Sequence, residues 1–527
     1  MSNTFPLRAR LVRSWPLLFL LIIAAIWLYR TPYHASNLEV PPDTVEYALA
    51  PLQLLETGRY EIMIEGRGLP PRYPPWFPAL AILPAYALFG HEPGNAILPI
   101  TLLAVAGVGF AYAIGKRLSS TSGGVLAGLA VLILPSYSTW ATHVMSDVPC
   151  TALMLGAWLI CLRLRDKPEG SGIYFGAGVL VAITTLFRPV FAAMVLPFLF
   201  TILVQRKKLF LRTALLLAPM AVGAAASFAY NAATFGSPLR NGYNFWVAVP
   251  YDYPRMTFSL SYVGMNFRIL WLSLFPILLL VCIATWFLVR NRKPAAYAVS
   301  RQSFWDSAIF LFLSTVPMMV FHLVYFFPAE RFFIPMLAGT AVLTASMLAL
   351  VVGSKAESAL KILLPALFLL AVAARIAVPE PLPLRRLAAE RVRTHSPDNA
   401  IVISAIDPVY LSRLAGAGSN RRIVPLSRNV EYASKVLVRK KIEDPRLESL
   451  NWNDGRAVSL IRPHAEEAVK FVASERMEEL AQEVARGTPV FLESLFTDER
   501  DARVLAELQA RFNVVQRAPY FFQLLPR

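Results

Sequence analysis

Long apolar runs separated by short polar loops fill the first 378 residues of the chain. A helix that crosses the hydrocarbon core of a membrane needs roughly 20 mainly apolar residues, and such runs recur here, from LLFLLIIAAIWL near the start to ALKILLPALFLLAVAARIAV. After Val378 the runs stop, and the remaining residues carry ordinary mixed charge. The pattern predicts a polytopic α-helical membrane domain over residues 1–378, with an interfacial loop at 31–75, followed by a soluble domain over residues 379–527.

The soluble domain alternates short apolar runs with amphipathic ones. Strands are predicted in AIVISAI, RIVPL, AVSLI, PVFLES and FNVVQ, and helices in HAEEAVKFVASERMEELAQEVARG and DERDARVLAELQARF. This order predicts a small α/β domain. Neither a glycine-rich nucleotide-binding motif nor a metal-ligand spacing is present in its sequence. Asp407, which precedes Pro408, is predicted to be a turn residue.

The distribution of basic residues among the loops predicts the membrane topology. The chain has a net charge of +17 and a mean hydropathy of +0.50, and residues 1–378 carry +14 of that charge, mostly in short loops. Such loops indicate cytoplasmic retention, so a nucleic-acid partner is not expected. The basic loops predicted to be cytoplasmic contain Lys116, Arg163, Lys207, Arg290 and Lys355. With the N-terminal arginines also inside, the positive-inside rule predicts a cytoplasmic N-terminus and an extracytoplasmic soluble domain.

One short apolar segment, Trp76 to Gly90, disturbs the alternation of the loops. Its 15 residues would span only about 22 Å as a helix. Counted as a full span, the segment places Asp43 and Asp147 on opposite sides of the membrane. Treated as re-entrant or interfacial, it leaves 11 spans and agrees with every charged loop, within a predicted total of about 11 to 13 transmembrane helices.

Two carboxylates follow the first span in the stretch PPDTVEYALA. Asp43 begins an apolar periodicity that predicts an amphipathic helix at the outer interface, bent at Pro51. Asp43 and Glu46 have the spacing of a capping box, in which both side chains bond the first turn of the helix. The same carboxylates could instead remove a proton from a hydroxyl group at the lipid surface. The spacing alone leaves both interpretations open.

Further polar side chains occupy the loops that are predicted to face outward. They are Arg72, Tyr73, His143, Asp147, Arg188, Glu330 and Arg331. Each has an ordinary structural explanation, such as a helix cap for Asp147 or an interfacial arginine for Arg188. Together they put acids and several arginines at one face of the membrane, where ionisable groups are costly and indicate function. Arginine suits a lipid phosphate, and a carboxylate suits a general base.

The order of these features resembles the GT-C superfamily of polytopic, polyprenyl-phosphate-dependent glycosyltransferases. This superfamily includes protein O-mannosyltransferases, the aminoarabinose–lipid A transferase and bacterial lipopolysaccharide core glycosyltransferases. The matching motifs are the acidic pair after the first span, the Gly-Arg-Tyr at residues 58–60, YPPWFPAL, the SD-P stretch with Asp147, and the element from Glu330 to Pro335.

The resemblance implies inverting transfer of a sugar, with Asp43 as catalytic base, Asp147 as second acid of the site and Arg331 as ligand of the lipid phosphate. Glu46 is grouped with the catalytic acids. Several relatives carry a lysine where this chain has Tyr73, so Arg72 is expected to contact the phosphate. Tyr73, Arg188 and His143 are further candidates for that contact. The lone Asp147, where relatives have an acid pair, disfavours a divalent metal, and no cofactor is expected.

The expected function is therefore that of a bacterial inner-membrane glycosyltransferase. It would use a polyprenyl-phosphate-linked sugar and a lipid, glycan or protein acceptor at the outer face of the membrane. A lipid-diphosphate-dependent glycan ligase on the same fold is an alternative. A membrane transporter is another, but transporters are often built from inverted repeats with ionisable groups at mid-membrane. The sequence shows no internal repeat, and its ionisable residues cluster at one face.

Overall fold

The computed structural model describes residues 5–64, 67–166, 170–246, 248–290, 294–352, 355–416, 420–426, 477–497 and 502–527. Two compact units are formed by segments that alternate along the chain. Unit 1 contains residues 1–30, 97–227 and 262–380, whereas unit 2 contains residues 31–96, 228–261 and 381–527. The loops before and between the spans therefore fold with the soluble tail. The division into domains at residue 378 stays a prediction.

Unit 1 is helical throughout its described part. Its α-helices are Phe5–Leu28, Ile97–Leu118, Thr121–Leu132, Pro135–Trp140, Asp147–Asp166, Gly172–Phe187, Val195–Gln205, Val263–Arg290, Pro294–Leu323, Ile334–Val352 and Lys355–Ala377, with Leu209–Phe235 continuing into unit 2. Short 3₁₀-helices occupy Pro189–Met194 and Glu330–Phe333. Glycines allow two of the helices to touch, since a Cβ on Gly115 would lie 2.5 Å from the carbonyl oxygen of Gly123.

Within the described residues, six helices are long and apolar enough to cross a membrane, and six shorter apolar helices accompany them. The predicted class of polytopic helical membrane protein is confirmed. The total of 11 to 13 spans stays a prediction, because half of these apolar helices are shorter than a full crossing. One of the short ones is Pro78–Phe89, inside the segment that disturbed the loop alternation. It starts as a π-helix at Pro78–Ile82 and continues as an α-helix at Leu83–Phe89.

Near the start of unit 2 lies a helix from Asp43 to Thr57, here called the interface helix, which confirms the predicted helix at this place. It ends at Gly58, whose φ of +73° is the left-handed conformation that glycine adopts readily. A hairpin follows, with β1 (Ile62–Ile64) antiparallel to β2 (Arg67–Leu69). The other short helices outside the tail are Pro32–Ala35, Pro93–Ala96, Gly242–Trp246, Ala248–Tyr251, Pro254–Thr257 and Leu260–Tyr262.

The tail of unit 2 contains a five-stranded sheet in the order β4-β3-β5-β7-β6. Its strands are β3 (Ile401–Ser404), β4 (Arg422–Pro425), β5 (Val490–Glu493), β6 (Asn513–Ala518) and β7 (Phe521–Leu525). Strand β3 is parallel to both β4 and β5, whereas β7 is antiparallel to β5 and β6. Its helices are Leu384–His395, Pro408–Gly416, Ala502–Arg511 and residues 477–485. The small α/β domain is therefore confirmed.

Four of the five predicted strands are present, and the fifth, AVSLI at residues 457–461, lies outside the described residues, as does the start of the helix predicted from His464. Strand β7 and the helices Leu384–His395 and Pro408–Gly416 were not predicted. The local role of Asp407 is confirmed, because its Oδ1 accepts hydrogen bonds from the backbone N–H groups of Val409 and Tyr410, at 3.0 and 3.2 Å.

Candidate active site

Asp43 is the first residue of the interface helix. The N-cap position is Pro42, whose carbonyl oxygen accepts the backbone N–H of Glu46 at 2.9 Å. The Glu46 carboxylate bonds a different segment, since its Oε2 accepts the backbone N–H of Arg72 at 2.6 Å. Asp43 therefore does not occupy the N-cap position that the capping-box interpretation assigns to it, and the catalytic interpretation of Asp43 stays a prediction.

Arg72 lies between the carboxylates of Asp43 and Glu46. Its Nη1 is 3.9 Å from Asp43 Oδ1, and its Nε is 4.0 Å from Glu46 Oε1. The Glu46 side chain is fully buried, and the other two are about nine-tenths buried. The formal charges of this triad sum to −1. A buried group with a net negative formal charge repels a phosphate, so the arrangement favours Arg72 as the partner of the carboxylates. Its contact with a lipid phosphate stays a prediction.

Tyrosine rings pack beside this triad. Tyr73 stacks on Tyr47 with ring centroids 4.2 Å apart and meets the ring of Tyr243 edge-on at 5.7 Å. The guanidinium carbon of Arg72 lies 5.9 Å from the centre of the Tyr243 ring. Burial, and secondarily the Asp43 carboxylate, raise the pKa of Tyr73 well above its ordinary value. Tyr73 therefore keeps its phenolic proton and can donate a hydrogen bond at neutral pH.

The segment around Gly242 packs tightly on the loop that carries Arg72. A Cβ added to Gly242 would lie 2.2 Å from the carbonyl oxygen of Arg72, so only glycine fits without displacing that loop. Trp246 donates its indole N–H to the carbonyl oxygen of Pro70 at 2.7 Å. Sequence reasoning missed these positions, because their packing partners lie far away along the chain.

In unit 1, Asp147 and Arg188 form a buried ion pair. Asp147 is 2 % exposed, and its Oδ2 lies 3.0 Å from Arg188 Nη2. Arg188 Nε also donates to the hydroxyl oxygen of Ser146 at 3.0 Å. Arg188 is thus held by two partners at the end of the helix Gly172–Phe187, where the sequence allowed a simple interfacial arginine. The second carboxylate oxygen of Asp147 has no hydrogen-bond partner among the residues that the structure describes.

Arg331 belongs to the short helix Glu330–Phe333 and is 8 % exposed. Its guanidinium carbon lies 5.1 Å from the centre of the Trp140 ring and 5.4 Å from that of Phe332. A small cavity is lined by Asp147, Arg188 and Arg331 together with His322 and Phe332. The formal charges of the two arginines and the aspartate sum to +1. A buried cavity with that net charge suits an anion, and two guanidinium groups suit a phosphate.

The remaining predicted residues have local partners. His143 donates a hydrogen bond from Nδ1 to the carbonyl oxygen of Thr139 at 2.8 Å and packs on the ring of Trp140. Glu330 accepts a hydrogen bond from the hydroxyl of Ser273 at 3.1 Å. The sequence pattern does not single out His322, which lines the cavity, because it lies within an apolar run that predicts a plain membrane span.

The residues that the structure describes contain no cluster of three or more histidine, cysteine, aspartate or glutamate side chains that could hold a metal ion. Asp147 is instead paired with an arginine. The side-chain chemistry that these residues bring together is that of carboxylates, arginines and aromatic rings. Such a set can exchange protons with hydroxyl groups and bind phosphate.

The chain is a multi-pass membrane protein whose fold matches a solved structure of ArnT, and a glycosyltransferase family model matches part of it, in agreement with the resemblance inferred from its motifs. Residues 72–231 match the model of the dolichyl-phosphate-mannose-protein mannosyltransferase family. By sequence, none of the curated proteins matches the chain.

Two solved structures share the fold over nearly the whole chain. The first is ArnT from Cupriavidus metallidurans bound to undecaprenyl phosphate, with a TM-score of 0.60 and 13% identity, covering 97% of this chain and 98% of that one. The second is the apo state of the same protein, with a TM-score of 0.53, 13% identity and the same coverage. At an identity this low, the structural likeness shows a common fold and does not by itself show a common function.

Proposed function

We propose that this protein is an inverting glycosyltransferase of the bacterial inner membrane. It transfers a sugar from a polyprenyl-phosphate-linked donor to an acceptor at the outer face. ArnT from Cupriavidus metallidurans is bound to undecaprenyl phosphate in its solved structure, and residues 72–231 match the dolichyl-phosphate-mannose-protein mannosyltransferase family. These likenesses support a donor in which the sugar is linked to a long isoprenoid through phosphate.

The difference in charge between the two groups of side chains carries the proposal. The triad of Asp43, Glu46 and Arg72 has a net charge of −1, which suits a base. The cavity group of Asp147, Arg188 and Arg331 has a net charge of +1, which suits a departing phosphate. Transfer from a lipid phosphate to a hydroxyl requires both of these properties.

In the proposed reaction, the Asp43 carboxylate removes the proton from an acceptor hydroxyl group. The acceptor oxygen forms a bond with the anomeric carbon while the bond from that carbon to the phosphate oxygen breaks. The bonding electrons leave with the polyprenyl phosphate, whose negative charge Arg188 and Arg331 stabilise. A single displacement of this kind inverts the anomeric configuration. The fully buried Glu46 orients Arg72, which in turn is a neighbour of Asp43.

The test of the base is the substitution Asp43→Asn, which keeps the shape of the side chain but removes its ability to accept a proton. We expect transfer to fall by at least about 100-fold, since general bases contribute factors of roughly 10² to 10⁴. Glu61→Gln, which removes a carboxylate from the same unit, serves as the matched control and should stay active. Purified protein in lipid nanodiscs allows folding and activity to be measured together. Full activity of Asp43→Asn would refute the assignment.

The donor is tested by identifying the lipid that the reaction releases. We expect a polyprenyl monophosphate in amounts equal to the sugar transferred, detected by mass spectrometry. Release of a diphosphate would instead make the protein a glycan ligase. Sugar uptake by reconstituted vesicles without any glycosylated product would make it a transporter.

The membrane orientation follows from the basic loops and is part of the proposal. We place the N-terminus in the cytoplasm and the tail at residues 379–527 outside it. Reporter enzymes that are active only outside the cytoplasm, fused after Arg527, should then show activity. The same reporter fused within the basic stretch at residues 205–212 should be inactive.

A further inference from the structure

His322 lies near the end of the helix Pro294–Leu323 and is 6 % exposed. It lines the same cavity as Asp147, Arg188 and Arg331. Its Nδ1 is enclosed and has no hydrogen-bond partner among the described residues. Enclosed polar atoms in folded proteins nearly always have a partner, so a lone one next to a cavity indicates that a ligand supplies it.

The ring of Phe332 fixes the orientation of the imidazole. The two rings are stacked, with centroids 4.5 Å apart and an interplanar angle of 14°. The same phenyl ring is contacted by the guanidinium groups of Arg188 and Arg331, at 5.6 and 5.4 Å. One aromatic side chain therefore holds three nitrogen-bearing groups around the cavity. Groups held in this way bind a ligand with little loss of side-chain entropy.

The chemistry of the cavity identifies the kind of ligand. Two guanidinium groups favour an anion whose oxygen atoms accept several hydrogen bonds, and an imidazole can add one more N–H donor. The unpartnered Oδ1 of Asp147 accepts a hydrogen bond, so the ligand also benefits from carrying a hydroxyl group. A sugar phosphate offers acceptors and a donor at once. An inorganic cation is disfavoured by the two arginines.

We propose that His322 is a further ligand of the donor phosphate and donates a hydrogen bond from its imidazole to a phosphate oxygen. This inference rests on the proposed function. His322 acts by binding and positioning the lipid phosphate, while Arg188 and Arg331 supply the positive charge. The loss of its N–H donor should therefore weaken binding of the lipid more than it slows the turnover of a saturated enzyme.

The experiment compares His322→Leu with His322→Asn in full-length protein in nanodiscs. Leucine removes the donor, whereas the amide of asparagine can place an N–H near the position of Nδ1. Undecaprenyl phosphate is the probe, and its affinity is measured as inhibition of transfer, alongside KM for the donor and kcat. If leucine prevents accumulation, His322→Met takes its place, because it also lacks the N–H and keeps a similar volume. Phe312→Leu, on the exposed side of the same helix, is the matched control.

We expect the leucine variant to bind undecaprenyl phosphate at least about tenfold more weakly, because hydrogen bonds to charged groups commonly have that effect. The asparagine variant and Phe312→Leu should stay within about threefold of the unmodified protein. Unchanged affinity in the leucine variant would overturn the inference. Equal losses in the asparagine and leucine variants would also overturn it, since packing would then explain both.

The variant Arg331→Ala separates this inference from the proposed function. If it loses affinity for undecaprenyl phosphate while His322→Leu does not, the cavity binds phosphate without His322, and only the inference fails. If neither variant changes affinity, the phosphate is bound elsewhere and the proposed function of the cavity fails as well.

Discussion

Arg413 and Glu56 form a two-pronged ion pair, with Nη1 2.6 Å from Oε2 and Nη2 2.5 Å from Oε1. It joins the helix Pro408–Gly416 of the tail to the last turns of the interface helix. The hydrogen bonds from Arg413 lower the pKa of Glu56. Two further contacts hold the part of the chain that precedes the interface helix. Tyr410 donates its hydroxyl hydrogen to the carbonyl oxygen of Ser36 at 2.9 Å, and the backbone N–H of Arg385 donates to Asn37 Oδ1 at 2.8 Å.

The first prediction concerns Tyr410. Tyr410→Phe leaves the buried carbonyl oxygen of Ser36 without its donor, which should cost about 1–3 kcal/mol of stability. Because the Ser36 segment leads into the helix that carries Asp43, we expect kcat for transfer to fall while KM for the donor stays nearly constant. Steady-state kinetics check this, with the surface substitution Tyr520→Phe as control. A change in KM alone would contradict the positioning role.

The second prediction concerns Gly242. Gly242→Ala should push the carbonyl group of Arg72 away and disturb the triad around Asp43, lowering transfer at least about tenfold. Gly264→Ala is the matched control, because a Cβ there meets nothing within 4 Å. Activity per folded protein is the measurement. Equal activity of the two variants would show that the loop adjusts without consequence.

The third prediction concerns the ion pair of Asp147 and Arg188. Arg188→Gln should destabilise the protein by about 3–5 kcal/mol, because it leaves a buried carboxylate without its charged partner. The double variant Asp147→Asn and Arg188→Gln removes both charges and should recover part of that loss. Thermal unfolding of the purified single and double variants measures the coupling. Strictly additive effects would mean that the pair contributes no coupling energy.

The fourth prediction concerns pH and Glu493, which is fully buried at the end of β5. Burial raises its pKa to about 7, against the opposing effects of hydrogen bonds from Leu495 N–H and Ser404 and the nearby charge of Arg391. The folded tail therefore holds the Glu493 proton at pH values where the unfolded chain has lost it. This contribution to stability is present below the pKa that Glu493 has in the unfolded chain, and it is lost as pH rises to about 7. It amounts to at most about 3 kcal/mol, at roughly 1.4 kcal/mol per pKa unit.

The measurement is chemical unfolding of the full-length protein at several pH values, followed in the tail. Glu493→Gln keeps a neutral side chain that can still bond Leu495 N–H and Ser404, so its stability should vary less between pH 4.5 and 7. The same dependence on pH in both proteins would assign the titration to another group.

The sequence predicted the apolar helices and most of the tail strands because both depend on local periodicity. The acids also stood out, since Asp43 and Asp147 begin helices directly after polar loops. His322 was missed because a single histidine in an apolar run has no pattern that separates it from the span. Tyr243 and Gly242 were missed because their roles depend on contacts with the loop at residues 70–73, distant along the chain. Strand β7 pairs with strands on both sides, and its order in the sheet has no local signal.

The alternation of segments in unit 2 limits how this protein can be recombined with a relative. A chimera joined only at residue 380 would replace Arg385, Tyr410 and Arg413 while keeping Asn37, Ser36 and Glu56 from the other parent. Every graft of the tail therefore needs three stretches moved as a set, residues 31–96, 228–261 and 381–527. Natural variation in the tail should accordingly be matched by compensating changes in residues 31–96 and 228–261.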